Sequence, residues 1–168
     1  MSDCYSEKMK IVFACGGISN KNSHQYQNLF LPLKKLNQYT QLYDYSKHKL
    51  FFTKKTLNDN FCRYVLTKSP DVLLVAICDS ILYPHTFFEL KKKLPNIILV
   101  AFFTDDNWLF NIFSKYWQQH FDLVVTIHKP NVEKYRALGK KAIWFRWSGN
   151  VDVYKKIDLI KEYDVTFV

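Results

Sequence analysis

The chain has 168 residues, of which 48% are apolar, 17% aromatic and 23% charged. This balance is typical of a globular domain and excludes a disordered chain, while only four Gly and five Pro exclude a collagen-like or low-complexity architecture. The 24 Lys and Arg exceed the 15 Asp and Glu, so the formal net charge is +9.

Most of this charge lies in residues 1–70, which hold 11 basic and four acidic residues. A basic surface attracts polyanions, although the plain alternative is that the lysines only favour solubility. Lys greatly outnumbers Arg, whereas phosphate forks and base recognition favour Arg. Nucleic acid is therefore not a predicted partner.

The cysteines are Cys4, Cys15, Cys62 and Cys78, and they form no C-x-x-C pair. No two His lie at metal-ligand spacing with them, so the sequence predicts no metal site, and it predicts no cofactor. We expect a reducing, cytoplasmic location. The polar segment 1–10 does not resemble a signal peptide, and the longest apolar runs have seven residues, far short of the roughly twenty that a spanning helix needs.

Apolar runs and helical patterns alternate along the chain. The continuous apolar runs 71–78 and 96–103 indicate strands that are covered on both faces. This alternation predicts a doubly wound α/β fold, with a mainly parallel, Rossmann-like sheet and helices on both faces. In chain order the predicted strands are 10–14, a weaker 41–45, 71–78, 96–103, 122–127 and 141–147, and the predicted helices are 23–37, 56–68, 84–94, 108–120 and 130–138.

Ligands bind open α/β sheets beyond the carboxyl ends of the strands, so the loops that follow the strands are the candidate site. These loops carry small, polar and charged side chains, and a basic residue near the cleft can assist a phosphate group. The predicted substrate-binding residues are Gly16, Gly17, Asn20, Asp79, Arg146, Ser148, Gly149 and Asn150.

The Gly16-Gly17 pair follows the first strand and allows the backbone to approach a ligand closely. It is neither a G-x-G-x-x-G fingerprint nor a P-loop, so NAD-dependent redox chemistry has no sequence support. A plain tight turn is the alternative explanation of this pair.

Asp105, Asp106 and His128 are the predicted catalytic residues. Two adjacent carboxylates at a strand end can supply a general base or orient sugar hydroxyls, while the alternative is that Asp106 or Asn107 caps the next helix. No third carboxylate is evident for a metal-bound pair. His128 is better placed at the sheet edge than His24, and the alternative is an ordinary packing role.

Several segments resemble the CgeB-like, spore-maturation type of glycosyltransferase: 96–108 (NIILVAFFTDDNW), 116–127 (YWQQHFDLVVTI), 131–139 (NVEKYRALG), 145–150 (FRWSGN) and 163–168 (YDVTFV). The resemblance implies a GT-B fold, in which two Rossmann-like domains face each other across a cleft. It implies that residues 1–150 are the N-terminal, acceptor-side domain. Residues 151–168 would then be a connector and the first strand of a truncated second domain, or a strand at the sheet edge.

Three interpretations follow. The first is the N-terminal half of a glycosyltransferase, inactive alone, with a nucleotide-sugar donor held mainly by a C-terminal domain and a sugar, protein or glycan as acceptor. In it the acidic pair of the family corresponds to Asp105 and Asp106. The second is a non-enzymatic module that binds nucleotides or polyanions, which the +9 charge favours. The third, a receiver-like domain, is disfavoured because no acidic cluster follows the first strand.

Overall fold

The core of the chain is one six-stranded sheet in which every strand is parallel to its neighbours, as seen in a computed structural model that describes residues 9–77, 79–146 and 149–154. Helices flank this sheet on both faces, so the predicted α/β, Rossmann-like fold class is confirmed. The strands are β1 (Ile11–Cys15), β2 (Thr40–Tyr43), β3 (Val72–Ala76), β4 (Ile98–Phe103), β5 (Leu123–Thr126) and β6 (Lys141–Trp144).

The strand order is β2-β1-β3-β4-β5-β6. Val72 in β3 pairs with Ile11 in β1 on one side and with Ile98 in β4 on the other, so β3 lies inside the sheet. The chain first moves outward from β1 to β2 and then crosses back over β1 to reach β3. This reversal makes the carboxyl ends of β1 and β3 the switch point of the sheet.

The helices begin and end where the sequence provides local signals. Thr53 accepts a hydrogen bond from the backbone of Thr56 at the start of the second helix, Pro84 opens the third, and Gly139 follows the last with a φ of +77°. The helices are α1 (Leu31–Leu36) after a π-helical turn (Tyr26–Phe30), α2 (Lys54–Lys68), α3 (Pro84–Lys93), α4 (Asn107–Leu109), a π-helical turn (Phe110–Ser114), α5 (Lys115–Trp117), a 3-10 turn (Gln118–His120) and α6 (Lys129–Ala137).

Two apolar clusters cover the two faces of the sheet. Leu73 and Leu99 belong to the larger cluster, together with Phe87 of α3 and Val132 of α6. The smaller cluster contains sheet residues such as Phe102 and the π-helical turn that precedes α1. Burial on both faces explains why the strands read as continuous apolar runs. No helix in the described ranges has the length and apolarity needed to cross a membrane.

The last described residues return to the first helix. The backbone N–H of Asn150 donates to Asn28 Oδ1 at 2.7 Å, and the Asn150 side chain donates to the Gln27 carbonyl at 2.8 Å. Lys35 and Asp152 add an exposed ion pair at 3.0 Å. We call these contacts the terminal clasp. The strand predicted over residues 163–168 lies outside the described residues.

Candidate functional site

All six strands point the same way, so the loops that follow them lie at one edge of the sheet, as the sequence predicted. At the switch point the structure brings Gly16, Tyr45 and Asp79 together. A Cβ added to Gly16 would lie 3.0 Å from Tyr45 Cε2 and 3.1 Å from Asp79 Oδ2. Gly16 therefore allows these two side chains to pack against the backbone.

Asp44, which directly follows β2, fixes the loop after β1. Its Oδ1 accepts a hydrogen bond from the Gly17 N–H at 3.0 Å, and its Oδ2 accepts one from the Ser19 N–H at 3.0 Å. The Ser46 backbone and hydroxyl also donate to Oδ1. Burial would raise the pKa of the Asp44 carboxyl, but the hydrogen bonds from Ser19 and Ser46 outweigh it and hold the pKa below its ordinary value.

Two backbone N–H groups of this loop, those of Gly17 and Ser19, are thus already occupied. In phosphate-binding loops such groups point at the ligand, whereas here the Gly17 and Ser19 N–H groups donate to Asp44. The Asp44 carboxylate would also repel a phosphate placed beside it. Gly17 has a φ of +72°, so the tight turn alone explains why a glycine is present.

Asp79 shapes the loop after β3. Its Oδ1 accepts a hydrogen bond from the Ile81 N–H at 3.0 Å, while the side chain itself is half-buried beside Gly16. The neighbouring Tyr45 is buried, and its hydroxyl donates to the Ala76 carbonyl at 3.0 Å. Hydrogen bonds from Tyr45 and to Asp79 thus fix the backbone at the switch point, while the Asp79 carboxylate remains partly accessible.

Asp105 is buried at the end of β4, with 1% of its surface exposed. Four side chains donate to its carboxylate: Thr126 to Oδ1 at 2.6 Å, and Ser114, Asn131 and Tyr135 to Oδ2 at 2.7, 3.1 and 2.5 Å. These donors come from β5, α6 and the helical segment after β4. The carboxylate therefore connects three separate parts of the fold.

This environment favours a structural role for Asp105. A general base has to reach the proton that it removes, and Asp105 is enclosed by its own donors. A buried carboxylate is stable only when it is paired or fully hydrogen-bonded, which the four donors achieve. Its catalytic role stays a prediction that the geometry disfavours.

Asp106, by contrast, is exposed, and its Oδ1 accepts a hydrogen bond from the Leu109 N–H at 2.8 Å. It is the N-cap of α4, as the alternative explanation of the acidic pair proposed. The side chain is exposed at the edge of the sheet, and its Oδ1 is the oxygen that takes part in the cap. Asp106 can therefore cap the helix and also meet a ligand.

His128 lies at the carboxyl end of β5, directly before α6, and is half-buried. Its backbone N–H donates to Thr126 Oγ1 at 3.1 Å, which links it to the donor shell of Asp105. Its Nδ1 is buried without a hydrogen-bond partner among the described residues. The His128 imidazole therefore lies at the edge of the sheet, and its Nδ1 is not held by a hydrogen bond to any described residue.

The other predicted substrate-binding residues do not form one group. Asn20 is exposed and its side chain accepts a hydrogen bond from the Asn22 N–H, while Arg146 is exposed after β6. Asn150 belongs to the terminal clasp, and a Cβ added to Gly149 would lie 2.8 Å from the Tyr154 ring. Ser148 lies outside the described residues.

A cleft of about 350 Å³ opens beside Asp44, between the end of β2 and α2. The sequence did not point to it, because β2 was a weak prediction and the loop after it was not among the candidate loops. The available signal was an acidic residue directly after an apolar strand. Aromatic, basic and hydrogen-bonding side chains line the cleft, among them Ser19, Tyr43, Asp44, Lys47, His48 and Asn60.

Comparisons of the chain with protein-family models, with curated proteins and with solved structures find no match. The site is therefore interpreted from its own geometry. Within the described ranges, no three His, Cys, Asp or Glu side chains come together in a way that could hold a metal ion.

Proposed function

We propose that the chain is the acceptor-side half of a CgeB-like GT-B glycosyltransferase, which acts in the cytoplasm and transfers a sugar from a nucleotide-sugar donor to an acceptor hydroxyl. The observation that carries this proposal is the occupation of the first loop by Asp44. Because the Gly17 and Ser19 N–H groups already donate to Asp44, they are not available to a phosphate group. The loop after β1 therefore suits a ligand without phosphates.

The cleft beside Asp44 has the chemistry that a sugar acceptor requires. Tyr43 and Phe52 offer aromatic surface for the apolar face of a sugar ring, while Asn60 and Ser19 offer hydrogen-bonding groups for hydroxyls. Asp44 itself can accept hydrogen bonds from a neutral polyhydroxyl compound without charge repulsion. These contacts support acceptor binding in this half of the enzyme.

We assign the general base to His128 or Asp106, because both lie at the carboxyl edge of the sheet. They follow β5 and β4, which are four and three strands from β2 (about 19 and 14 Å), so an acceptor seated beside Asp44 has to extend along this edge to present its hydroxyl to them. The imidazole is preferred, since histidine is the side chain that most often serves as a general base. Arg146, which is exposed after β6, would assist the leaving diphosphate of a donor that is held mainly by a second domain. Asp105 stabilises this edge, because its four hydrogen bonds join β5, α6 and the helical segment after β4.

The alternative, a module that binds nucleotides or polyanions, is supported by the net charge of +9. It requires exposed donors at a phosphate-sized site. The loop after β1, where such a site lies in related folds, instead presents a carboxylate. The same experiment separates the two functions.

The test is an NMR titration of the whole chain with neutral oligosaccharides and, separately, with nucleotides and nucleotide sugars. We expect neutral saccharides to shift the amide signals of Ser19, Asp44 and Asn60, and we expect nucleotide sugars to bind weakly or not at all. A product assay on the chain alone should give no sugar transfer, since donor, acceptor and base have to be aligned together.

A matched pair of variants locates the binding. Asn60→Ala removes a polar group from the cleft wall, and Asn96→Ala makes the same change in the exposed loop before β4. Only the first should weaken saccharide binding. Micromolar binding of a nucleotide sugar, or turnover above background, would show that the donor site is in this half and would overturn the acceptor-side assignment.

A further inference from the structure

The loop between β2 and α2 exposes three consecutive apolar side chains. Leu50 is 87% exposed, Phe51 81% and Phe52 43%, although residues of this kind are usually buried. Phe52 turns partly toward the cleft, whereas Leu50 and Phe51 do not line it. Two large apolar side chains are therefore presented to the outside at the tip of one loop.

Lysines flank this apolar tip on both sides. The sequence from 47 to 55 reads KHKLFFTKK, and no acidic residue occurs between Asp44 and Asp59. Lys54 lies over the Tyr83 ring at 4.5 Å, and Lys55 pairs with Asp59 at 2.7 Å on the exposed side of α2. We call residues 47–55, which include the first two residues of α2, the basic apolar loop. This loop carries only positive charge, and it includes Leu50 and Phe51, the most exposed apolar residues of this region.

The basic apolar loop has a defined backbone. The Lys49 N–H donates to the Ser46 carbonyl at 3.0 Å, and the Phe51 and Phe52 N–H groups donate to the His48 carbonyl at 2.8 and 3.0 Å. His48 adopts a φ of +70°, and its ring lies edge-on to Phe52 at 5.8 Å. These turns hold Leu50 and Phe51 at the tip, so their exposure is part of the fold.

We propose that the basic apolar loop docks the protein on the surface of an anionic lipid bilayer. Leu50 and Phe51 enter the boundary between headgroups and acyl chains, where apolar and aromatic side chains partition favourably. The lysines remain at the level of the headgroups and pair with anionic lipids. The protein does not span the bilayer but lies on it.

The chemistry of the loop favours a bilayer over the other partners of a basic surface. Nucleic acid would use the lysines and stack a base on Phe51, but it gains little from Leu50, and the loop contains no arginine. A bilayer uses both features at once. The inference does not depend on the proposed enzymatic function, because Leu50 and Phe51 lie outside the cleft.

The docking also sets an orientation. The loop follows the carboxyl end of β2, so it lies on the same edge of the sheet as Asp44, Asp106 and His128. A protein held by this loop presents that edge near the membrane surface. A ligand carried by the membrane would then approach the candidate site from the side of the lipid headgroups.

The test is a flotation assay of the whole chain with vesicles of two compositions: phosphatidylcholine alone, and an equimolar mixture of phosphatidylcholine and phosphatidylglycerol. We expect the protein to float with the mixed vesicles and to remain unbound with the neutral ones. The variant L50S/F51S should bind the mixed vesicles about tenfold more weakly or worse, since it removes the inserting groups. The variant K49Q/K54Q should bind about thirtyfold more weakly, because it removes the attraction of two lysines to the anionic lipid headgroups.

Matched controls make the same changes elsewhere on the surface. L36S/F88S replaces a leucine that is 86% exposed and an exposed phenylalanine, and K92Q/K93Q removes two exposed charges from α3. Both controls should bind like the parent chain, and circular dichroism should show that all four variants are folded.

Four results would overturn the proposal. The first is absence of the parent chain from the floating fraction with mixed vesicles. The second is equal binding of L50S/F51S and the parent chain, which would leave only a general charge effect. The third is a change from dimer to monomer in L50S/F51S without vesicle binding, which would assign the tip to contacts between copies. Displacement by duplex DNA with no effect of L50S/F51S would likewise identify a nucleic-acid surface.

Discussion

The Tyr135 hydroxyl donates a hydrogen bond of 2.5 Å to the buried carboxylate of Asp105, 30 residues earlier in the chain. Burial, and then the hydrogen bond to Asp105, raise the pKa of Tyr135 far above its ordinary value. The phenol therefore keeps its proton, and Asp105 remains the acceptor of the pair. This contact fastens α6 to the end of β4, directly beneath the edge that carries Asp106 and His128.

Asp105→Asn should lower the free energy of unfolding by about 2–3 kcal/mol. The amide group of the new side chain is a donor facing other donors, so at least one buried group loses its partner. Urea unfolding followed by circular dichroism measures this loss.

Asp106→Asn is the matched control, because Asn is an equally good N-cap and the position is exposed. It should change stability by about 0.5 kcal/mol or less. Equal losses in the two variants would contradict the anchor role of Asp105. In a two-domain enzyme, Asp106→Asn rather than Asp105→Asn would be the informative test of the base.

Acid should weaken the fold partly through Asp44. Its pKa is lower in the folded state than in the unfolded chain, so the unfolded chain binds more protons as the pH falls. The stabilisation by Asp44 is complete above its unfolded pKa of about 3.9 and is lost as the pH falls through the folded value. The difference in unfolding free energy between the parent chain and Asp44→Asn should therefore begin to shrink near about pH 5 and continue to shrink as the pH falls below about 4. A difference that stays constant over this range would argue against the prediction.

Gly17→Ala should destabilise the protein by about 1 kcal/mol through the backbone alone. The φ of +72° places Gly17 in the left-handed region, and no atom lies within 4 Å of an added Cβ. Gly139→Ala, at a φ of +77° with equally open surroundings, should cost about the same. Gly17→Asn should recover part of the loss, because Asn tolerates this region. Thermal unfolding distinguishes these outcomes, and a Gly17→Ala protein as stable as the parent would refute them.

Asn28→Ala should loosen the terminal clasp. The Asn150 N–H loses its acceptor, so its amide proton should exchange with solvent at least about tenfold faster while the sheet amides keep their protection. Lys35→Gln removes only the exposed ion pair with Asp152 and should change exchange little. Hydrogen exchange followed by NMR tests both variants. Faster exchange throughout the sheet in Asn28→Ala would show that the clasp supports the whole fold.

Local signals explain how much of the fold could be predicted from the sequence. The apolar run that contains β4, Pro84 at the start of α3 and Gly139 after α6 each act through their immediate neighbours. Alternating strands and helices also predict a mainly parallel sheet, although the sequence does not predict the order of its strands. The predicted strand boundaries differ from the observed ones by only a few residues.

The roles of the acidic residues could not be predicted in the same way. Asp105 and Asp106 are adjacent in sequence, yet one is buried among four donors and the other is exposed. Three of those donors lie 21 to 30 residues away, so only the folded chain reveals them. Asp44 reaches the backbone of Gly17 across 27 residues, and no pattern around either residue indicates this contact.

The terminal clasp has a consequence for synthesis on the ribosome. Asn28 and Asn150 are separated by 122 residues, which at about 5–20 residues per second take about 6 to 24 seconds to translate. During that interval the first helix and the π-helical turn before it exist without the segment that later fastens them. Codon changes that slow translation between these positions would lengthen the time during which Gln27 and Asn28 lack their partner in the clasp, even though the finished protein would be identical.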